Sequence, residues 1–238
     1  MSHLFHIKEC SSTNDEISKF LLYENSDFVA LHTFNQTGGR GQYGNTWSSA
    51  AEKNLAYTLA VKTENFSLSD FLFNYYTAIL ISDFLANLTE HIVKIKWPND
   101  IILKNKKIVG ILIEKKKINK NNYFIIGAGF NILQEKFDEI SNAGSILSQT
   151  GRYFNLNEFT ISLHDFMVER LKKIPSDQEI LDDFNTRLFR KNQVSVFERN
   201  GERQNGIIKN ADRNGEILIE LENDGLQSFY HKEIKLLY

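Results

Sequence analysis

The residues best suited to chemistry in this 238-residue chain are one arginine, one lysine and the glycines near them. Residues 38–47 read Gly-Gly-Arg-Gly-Gln-Tyr-Gly-Asn-Thr-Trp, so Arg40 sits in a loop with four glycines. Glycine admits positive φ and lets a ligand approach the main chain. Arginine supplies a fixed charge and a fork of donors that matches carboxylate or phosphate. Such a loop either binds an anion and closes over it, or is a mobile surface loop. The loop alone leaves both open. The Gly-Lys-Ser/Thr ending of a Walker loop is missing, and the dinucleotide glycine spacing is not followed. Downstream, Lys96 precedes Trp97-Pro98-Asn99-Asp100. Gly110, Gly127 and Gly129 fall in or beside strand-like runs, where glycine marks close approach by a ligand or another backbone.

Positioning these groups requires a framework, and the chain is long enough for one large domain or a large and a small one. Composition is that of a globular protein, 42% hydrophobic and 24% charged. The formal net charge of −2 gives no basic field, so no nucleic-acid partner is expected. A single cysteine, Cys10, excludes an intrachain disulfide framework and a Cys-rich zinc site. The histidines are scattered; His3 and His6 could share a face but read as a strand end or as solvated side chains, so no metal site is expected. No apolar run of transmembrane length and no signal pattern stand out, so the expected location is the cytoplasm, without a membrane partner.

Hydrophobic periodicity places strands over 28–34 and 54–61, entering and leaving the glycine loop. A short strand is expected over 4–9. After it, Thr13 with Glu16 fits a capping box for a helix carrying Ile17, Phe20 and Leu21. The free N–H groups of that helix start could also serve polar ligand atoms, although capping alone is the simpler account of Ser12, Thr13 and Asn14. Ser67, with Asp70 three residues on, predicts the start of a long helix with an aromatic-rich core stripe. Strand signals at 101–103, 107–114 and 123–126, following one at 93–96, predict a meander with Lys96, Lys107, Glu114 and Asn131 at or near strand ends or edges. Lys115-Lys116-Lys117 with Lys120 reads as a solvated hairpin tip, with an acidic protein partner as the alternative. Residues 141–149 suit either a helix or a loop. Asn155 with Glu158 begins a helix that Pro175 ends, and Ser176 with Glu179 begins another. From Val194 onward, short strands alternate with Asn200-Gly201, Asn214-Gly215 and Asp224-Gly225, which suit tight hairpin turns or close variants and suggest a small barrel.

Five segments now stand in order: Ser12-Thr13-Asn14; Gly39-Arg40-Gly41-Gln42-Tyr43-Gly44-Asn45-Thr46-Trp47; Lys96-Trp97-Pro98-Asn99-Asp100; Lys107-Ile108-Val109-Gly110-Ile111-Leu112-Ile113-Glu114; and Gly127-Ala128-Gly129-Phe130-Asn131-Ile132. Together they resemble the biotin protein ligases, which biotinylate carboxyl carrier proteins. The resemblance implies an α+β fold: a mixed sheet with flanking helices, like that of class II aminoacyl-tRNA synthetases and lipoate ligases, over residues 1–189. It implies an SH3-like β-barrel over 190–238. It further implies two half-reactions, formation of biotinyl-5′-AMP from biotin and ATP with Mg²⁺, then transfer of biotin to a lysine on a biotin carboxyl carrier domain of a biotin-dependent carboxylase such as acetyl-CoA carboxylase.

Carried onto this chain, the resemblance makes Lys96 and Arg40 the catalytic cations, offsetting repulsion between a carboxylate and a polyphosphate. Biotin and the adenylate would contact Ser12, Thr13, Asn14, Gln36, Gly39, Arg40, Gly41, Gln42 and Lys96. Gly110, Gly127 and Gly129 would give the ligand access to the backbone, and Asn131 would approach the nucleotide portion. Trp47 reads as a ligand wall or core, Trp97 rather as core, and Asp100 as a turn cap or an aid to the metal or the acceptor lysine. Gln42 departs from the family pattern, where arginine is common, so the loop's charge rests on Arg40 alone. The motif-bearing region begins almost at Met1, leading us to expect a ligase without DNA-binding repressor activity. The resemblance leaves open whether the chain acts alone or as a homodimer. The rival readings are a lipoate or octanoate ligase or transferase on the same fold, and a non-catalytic biotin sensor or adaptor.

Overall fold

The computed structural model describes residues 2–22, 26–137 and 141–238. The N-terminal part opens with β1 (Ser2–His6), α1 (Thr13–Leu21) and β2 (Phe28–Thr33), then the small hairpin β3 (Gly39–Arg40) and β4 (Thr46–Trp47), then β5 (Asn54–Lys62). The core helix α2 (Asp70–Thr89) follows, and then the meander β6 (Val93–Lys96), β7 (Asp100–Leu103), β8 (Lys106–Ile118) and β9 (Asn121–Asn131). Three helices come next: α3 (Ile146–Thr150), α4 (Leu156–Leu171) and α5 (Asp177–Arg187). The chain ends with β10 (Val194–Arg199), β11 (Glu202–Ala211), β12 (Ile217–Leu221), β13 (Gly225–Phe229) and β14 (Lys235–Leu237).

Seven strands form one mixed sheet in the order β1-β2-β5-β9-β8-β7-β6, with β1 and β2 parallel and every other pair antiparallel. Side chains alternate between its faces. On one face Tyr57, Ile111, Phe124 and Phe130 join a core with α2, α4 and α5. Phe73 of α2 stacks on Phe124 at 3.9 Å, and Tyr75 stacks on Phe184 of α5 at 3.9 Å. On the other face Ile17 and Leu21 of α1 pack on Val29, Leu31, Ala60 and Ile125. Along β9 that face runs Ile125, Gly127, Gly129. The bulk disappears where α1 ends its cover, and the opening of the site begins there.

Several local expectations change. The first strand lies at Ser2–His6, because its parallel register pairs Ser2 with Phe28 and His6 with His32, after which the chain leaves the sheet. The long helix starts two residues later than Ser67, with Ser69 as its N-cap accepting from the Leu72 N–H at 3.3 Å. Among the described residues, α2 alone is long and apolar enough to cross a membrane, contrary to the absence of such a run expected from sequence; most of it is buried inside the fold. The lysines at 115–117 lie within β8 rather than at a hairpin tip, since the β8–β9 ladder continues to Ile118 and Asn121. Residues 141–149 resolve into a turn and then α3, whose capping box joins Ser145 and Ser148. The caps at Asn155 and Ser176 form as expected.

The C-terminal strands form a five-stranded antiparallel sheet in the order β13-β12-β11-β10-β14. Asn200-Gly201 makes a two-residue turn between Arg199 and Glu202, both residues at positive φ. The other two turns are longer, with loops 212–216 and 222–224. This sheet is tied to α5 by a reciprocal pair: Asn185 Nδ2 donates to the Ala211 carbonyl at 2.9 Å, and the Ala211 N–H donates to Asn185 Oδ1 at 2.7 Å. Phe71 of α2 packs directly under Gly215.

One buried group of the sheet makes stability depend on pH. His32 is 6% exposed, its ring lies 4.9 Å from that of His6, and its Nδ1 has no partner. Burial foremost, then the charge on His6, push its pKa down to about 4. The folded state therefore resists protonation, while the unfolded chain takes a proton near pH 6.5. Stability present above pH 6.5 is lost as pH falls toward 4, by about 3 kcal/mol in all. Thermal melts between pH 7 and 5 should show a falling Tm in the parent and a flatter curve in His32→Phe. Parallel curves would remove His32 as the cause.

Candidate active site

The opening beyond α1 is a cavity of about 210 Å³. Its floor is made of small groups on neighbouring strands, Ala56 of β5, Gly127 and Gly129 of β9 and Gly110 of β8. The Trp47 indole lies flat against this floor: a Cβ added at Gly129 would collide with it, and one at Gly110 would come within 2.8 Å. A Cβ at Gly127 would strike the Asn14 amide. The glycines thus admit two side chains that shape the cavity.

The start of α1 forms one end. Ser12 is the N-cap residue but makes no side-chain cap, and the Thr13/Glu16 capping box does not form. Gln36 reaches across instead: its Oε1 accepts from the Thr13 N–H at 2.9 Å and from Thr13 Oγ1 at 3.2 Å. Glu16 turns to Lys19 at 2.6 Å. Asn14 is 4% exposed and fully engaged, accepting from Thr58 Oγ1 at 2.7 Å and donating to Glu114 Oε2 at 2.9 Å. Burial with these bonds fixes its orientation, because an unpaired buried amide would cost about 1–3 kcal/mol.

The opposite end carries positive charge. Lys96, at the end of β6, has its ammonium 3.8 Å from Asp100 Oδ2, and Lys107 is 2.6 Å from Asp100 Oδ1. Burial holds the Lys96 pKa below the ordinary lysine value; Asp100 opposes that shift, and Lys107 adds to it. A half-buried ammonium with one distant, shared counter-charge is suited to receive an anion. The Lys107 ammonium also sits 5.5 Å from the Trp47 ring centre, within cation–π range. His231 reaches the cavity from the C-terminal sheet, its pKa lowered mainly by burial.

Arg40 faces a different direction. Its Nη2 donates to Asp15 Oδ1 at 2.7 Å and to Glu114 Oε2 at 3.2 Å. Lys116 completes this charged group, donating to the Asn14 carbonyl at 2.7 Å and lying 3.2 Å from Asp15 Oδ1. The loop is therefore laid down over the start of α1 by ion pairs, and Lys96 and Lys107 supply the positive charge at the cavity's opposite end.

Of the residues singled out from sequence, Ser12, Thr13, Asn14, Gln36, Arg40, Gly41, Gln42, Lys96, Gly110, Gly127 and Gly129 all line this one cavity. Gly39 does not; it is pressed between the Trp47 carbonyl and the Gln36 amide. Asn131 lies at the end of β9 opposite Asn54, outside the cavity wall, with its Oδ1 buried and without a partner. Trp97 is partly buried against the core. Lys107, Asn99 and His231 join the lining without having been chosen as site residues. Lys107 was visible as a strand-end lysine ahead of Gly110; His231 carried no local signal.

Among the described residues, no cluster of three His, Cys, Asp or Glu side chains is placed to hold a metal ion. The Asp100 carboxylate is taken up by Lys107. Among the described residues, the cavity lining therefore offers no unpaired carboxylate for Mg²⁺.

Residues 8–131 match the model of the Biotin/lipoate A/B protein ligase family. The bifunctional ligase/repressor BirA of Escherichia coli K12 is 29% identical over 204 residues, covering 80% of this chain and 60% of that protein. The biotin–[acetyl-CoA-carboxylase] ligase of Mycobacterium tuberculosis is 25% identical, covering 59% of this chain and 53% of its own length. The matched part thus spans about three-fifths or less of these relatives. Among solved structures, the biotin protein ligase from Aquifex aeolicus in complex with biotin and ATP superposes with a TM-score of 0.81 at 24% identity, covering 100% of this chain and 99% of that one. At that identity the likeness speaks for the fold, a mixed sheet with flanking helices and a C-terminal β-sheet.

Proposed function

Because the chain belongs to the biotin/lipoate A/B protein ligase family, we propose that it activates biotin with ATP and transfers it to a lysine of a biotin carboxyl carrier domain. The observation that carries this reading is the polarity of the cavity. Neutral hydrogen-bonding groups of α1 and Gln36 stand at one end, and the lysines around Asp100 stand at the other. Biotin has the same polarity, a neutral ureido ring at one end and a carboxylate at the other.

In the first step a carboxylate oxygen forms a bond to the α-phosphorus of ATP, and the bond from that phosphorus to the bridging oxygen breaks, releasing pyrophosphate. Both partners are anions, so the approach is repulsive until cations offset it. Lys96 is placed to do so, and its position in a half-buried site strengthens the effect. Magnesium would come with the nucleotide as MgATP and share the triphosphate charge. In the second step the acceptor amine attacks the acyl carbon, AMP leaves, and the nitrogen gives up its proton. The loop carrying Arg40 and Gln42 lies over the cavity, where it would keep water from the anhydride.

The family embraces biotin and lipoate ligases, so the acyl substrate must be tested. Incubation with MgATP, biotin and a purified biotin carboxyl carrier domain should add one biotin to the acceptor lysine by mass spectrometry. Transfer of lipoate but not biotin would overturn the choice of substrate. Stabilisation by biotin in thermal-shift titration without adenylate or transfer would favour a sensor.

A further inference from the structure

We infer that Lys232 and His231 of the C-terminal sheet are positioning residues for the loop that covers the cavity, and that they act by clamping Tyr43. This rests on the ligase reading above. The Lys232 ammonium donates to the Tyr43 carbonyl at 2.9 Å and stands 5.0 Å from the centre of the Tyr43 ring. The His231 ring stacks on the same tyrosine, centroids 5.0 Å apart, and meets Trp97 in an edge contact at 5.7 Å. Main-chain bond, cation–π contact and stacking therefore converge on one loop residue from two consecutive residues of a distant strand connection.

Two features indicate a fitted contact rather than a chance surface touch. Tyr43 and Lys232 both have left-handed backbone, at φ 55° and 77°. Residues with side chains adopt that conformation rarely and keep it where their surroundings fix it. The turn that presents the clamp is itself closed twice: the Glu233 N–H donates to the Tyr230 carbonyl at 3.1 Å, and the Tyr230 N–H donates to the Glu233 carboxylate at 2.7 Å. The sheet behind it is anchored to α5 by the reciprocal Asn185–Ala211 bonds.

The clamp answers a deficit in the loop. Gln42 lines the cavity without charge, and Arg40 is engaged by Asp15 and Glu114. The loop thus holds a bound adenylate with little charge of its own, and it is fastened from outside instead. Tyr43 adjoins Gln42, so tension on the clamp passes directly to the cavity wall.

The test is a pair of measurements on the full chain. Lys232→Ala removes the main-chain bond and the cation–π contact, whereas Tyr43→Ala removes only the ring contacts. Release of preformed biotinyl-AMP should quicken by roughly three- to ten-fold in Lys232→Ala and less in Tyr43→Ala, with recovery in Lys232→Arg. Trypsin cleavage after Arg40 in the unliganded protein should quicken in the same order, and Tm should stay within about 2 °C of the parent. Release and cleavage both unchanged in Lys232→Ala would overturn the clamp. If the parent makes no adenylate, the ligase reading fails, while the cleavage series still decides whether the loop is clamped.

Discussion

Lys96→Ala is expected to lose adenylate formation by a factor of 10² or more while the protein still folds. The size follows from the removal of a preorganised charge at the developing contact between two anions, an effect of about 3 kcal/mol or more. Folding should survive because the ammonium's ion pair is long, 3.8 Å, and Asp100 keeps its 2.6 Å partner in Lys107. Removing a cation that burial already disfavours even relieves a small cost. Pyrophosphate release measures the first step, and a thermal melt measures the fold. Lys96→Arg should restore little, since a planar guanidinium does not fill the place of a compact ammonium between Asp100 and the Tyr238 ring, which lies 5.2 Å from the Lys96 nitrogen. Near-normal pyrophosphate release in Lys96→Ala would show that Lys107 or Arg40 carries the chemistry.

The two cations assigned to catalysis from sequence thus separate in the structure. Lys96 faces the cavity; Arg40 faces Asp15 and Glu114. The difference lies in what a sequence can express. Glycines, helix caps and a lysine before a turn are local signals, and the cavity floor, the caps at Asn155 and Ser176 and the place of Lys96 followed from them. The hydrogen bonds that finish the site join residues far apart in the chain: Gln36 with Thr13, Lys116 with the Asn14 carbonyl, and Lys232 with Tyr43 across 189 residues. Lys116 shows the limit well. In a run of three lysines it reads as solvated surface, yet the alternation of β8 turns every second residue toward α1, and that register depends on a ladder extending to Ile118. His231 similarly carries no local sequence signal that would reveal a role at the cavity.

Gly129→Val should abolish ligand binding without abolishing the fold, and for a reason distinct from lost charge. Gly129 lies in the middle of the sheet, paired with Ala56 on β5 and Gly110 on β8. A β-branched residue suits such a strand, so the ladder itself should tolerate it. The first added carbon, however, occupies the place of the Trp47 indole. Either the indole moves, taking β4 and the Gly39–Trp47 pairing with it, or the strand shifts. Overpacking of this kind costs about 1–3 kcal/mol, and the lighter path is for the hairpin to lift, because β3 and β4 are only two residues each whereas β9 is paired along both sides. The floor then rises into the cavity and its cover opens together. Biotin affinity should fall by roughly 100-fold or more, since binding loses both enclosure and the flat apolar wall. Gly129→Ala should lie between parent and valine variant. Isothermal titration with biotin measures the affinity, and tryptophan fluorescence reports whether an indole has become solvated. A valine variant that binds biotin as the parent does, with unchanged fluorescence, would mean that Trp47 does not rest on Gly129 in solution and that the ligand lies elsewhere.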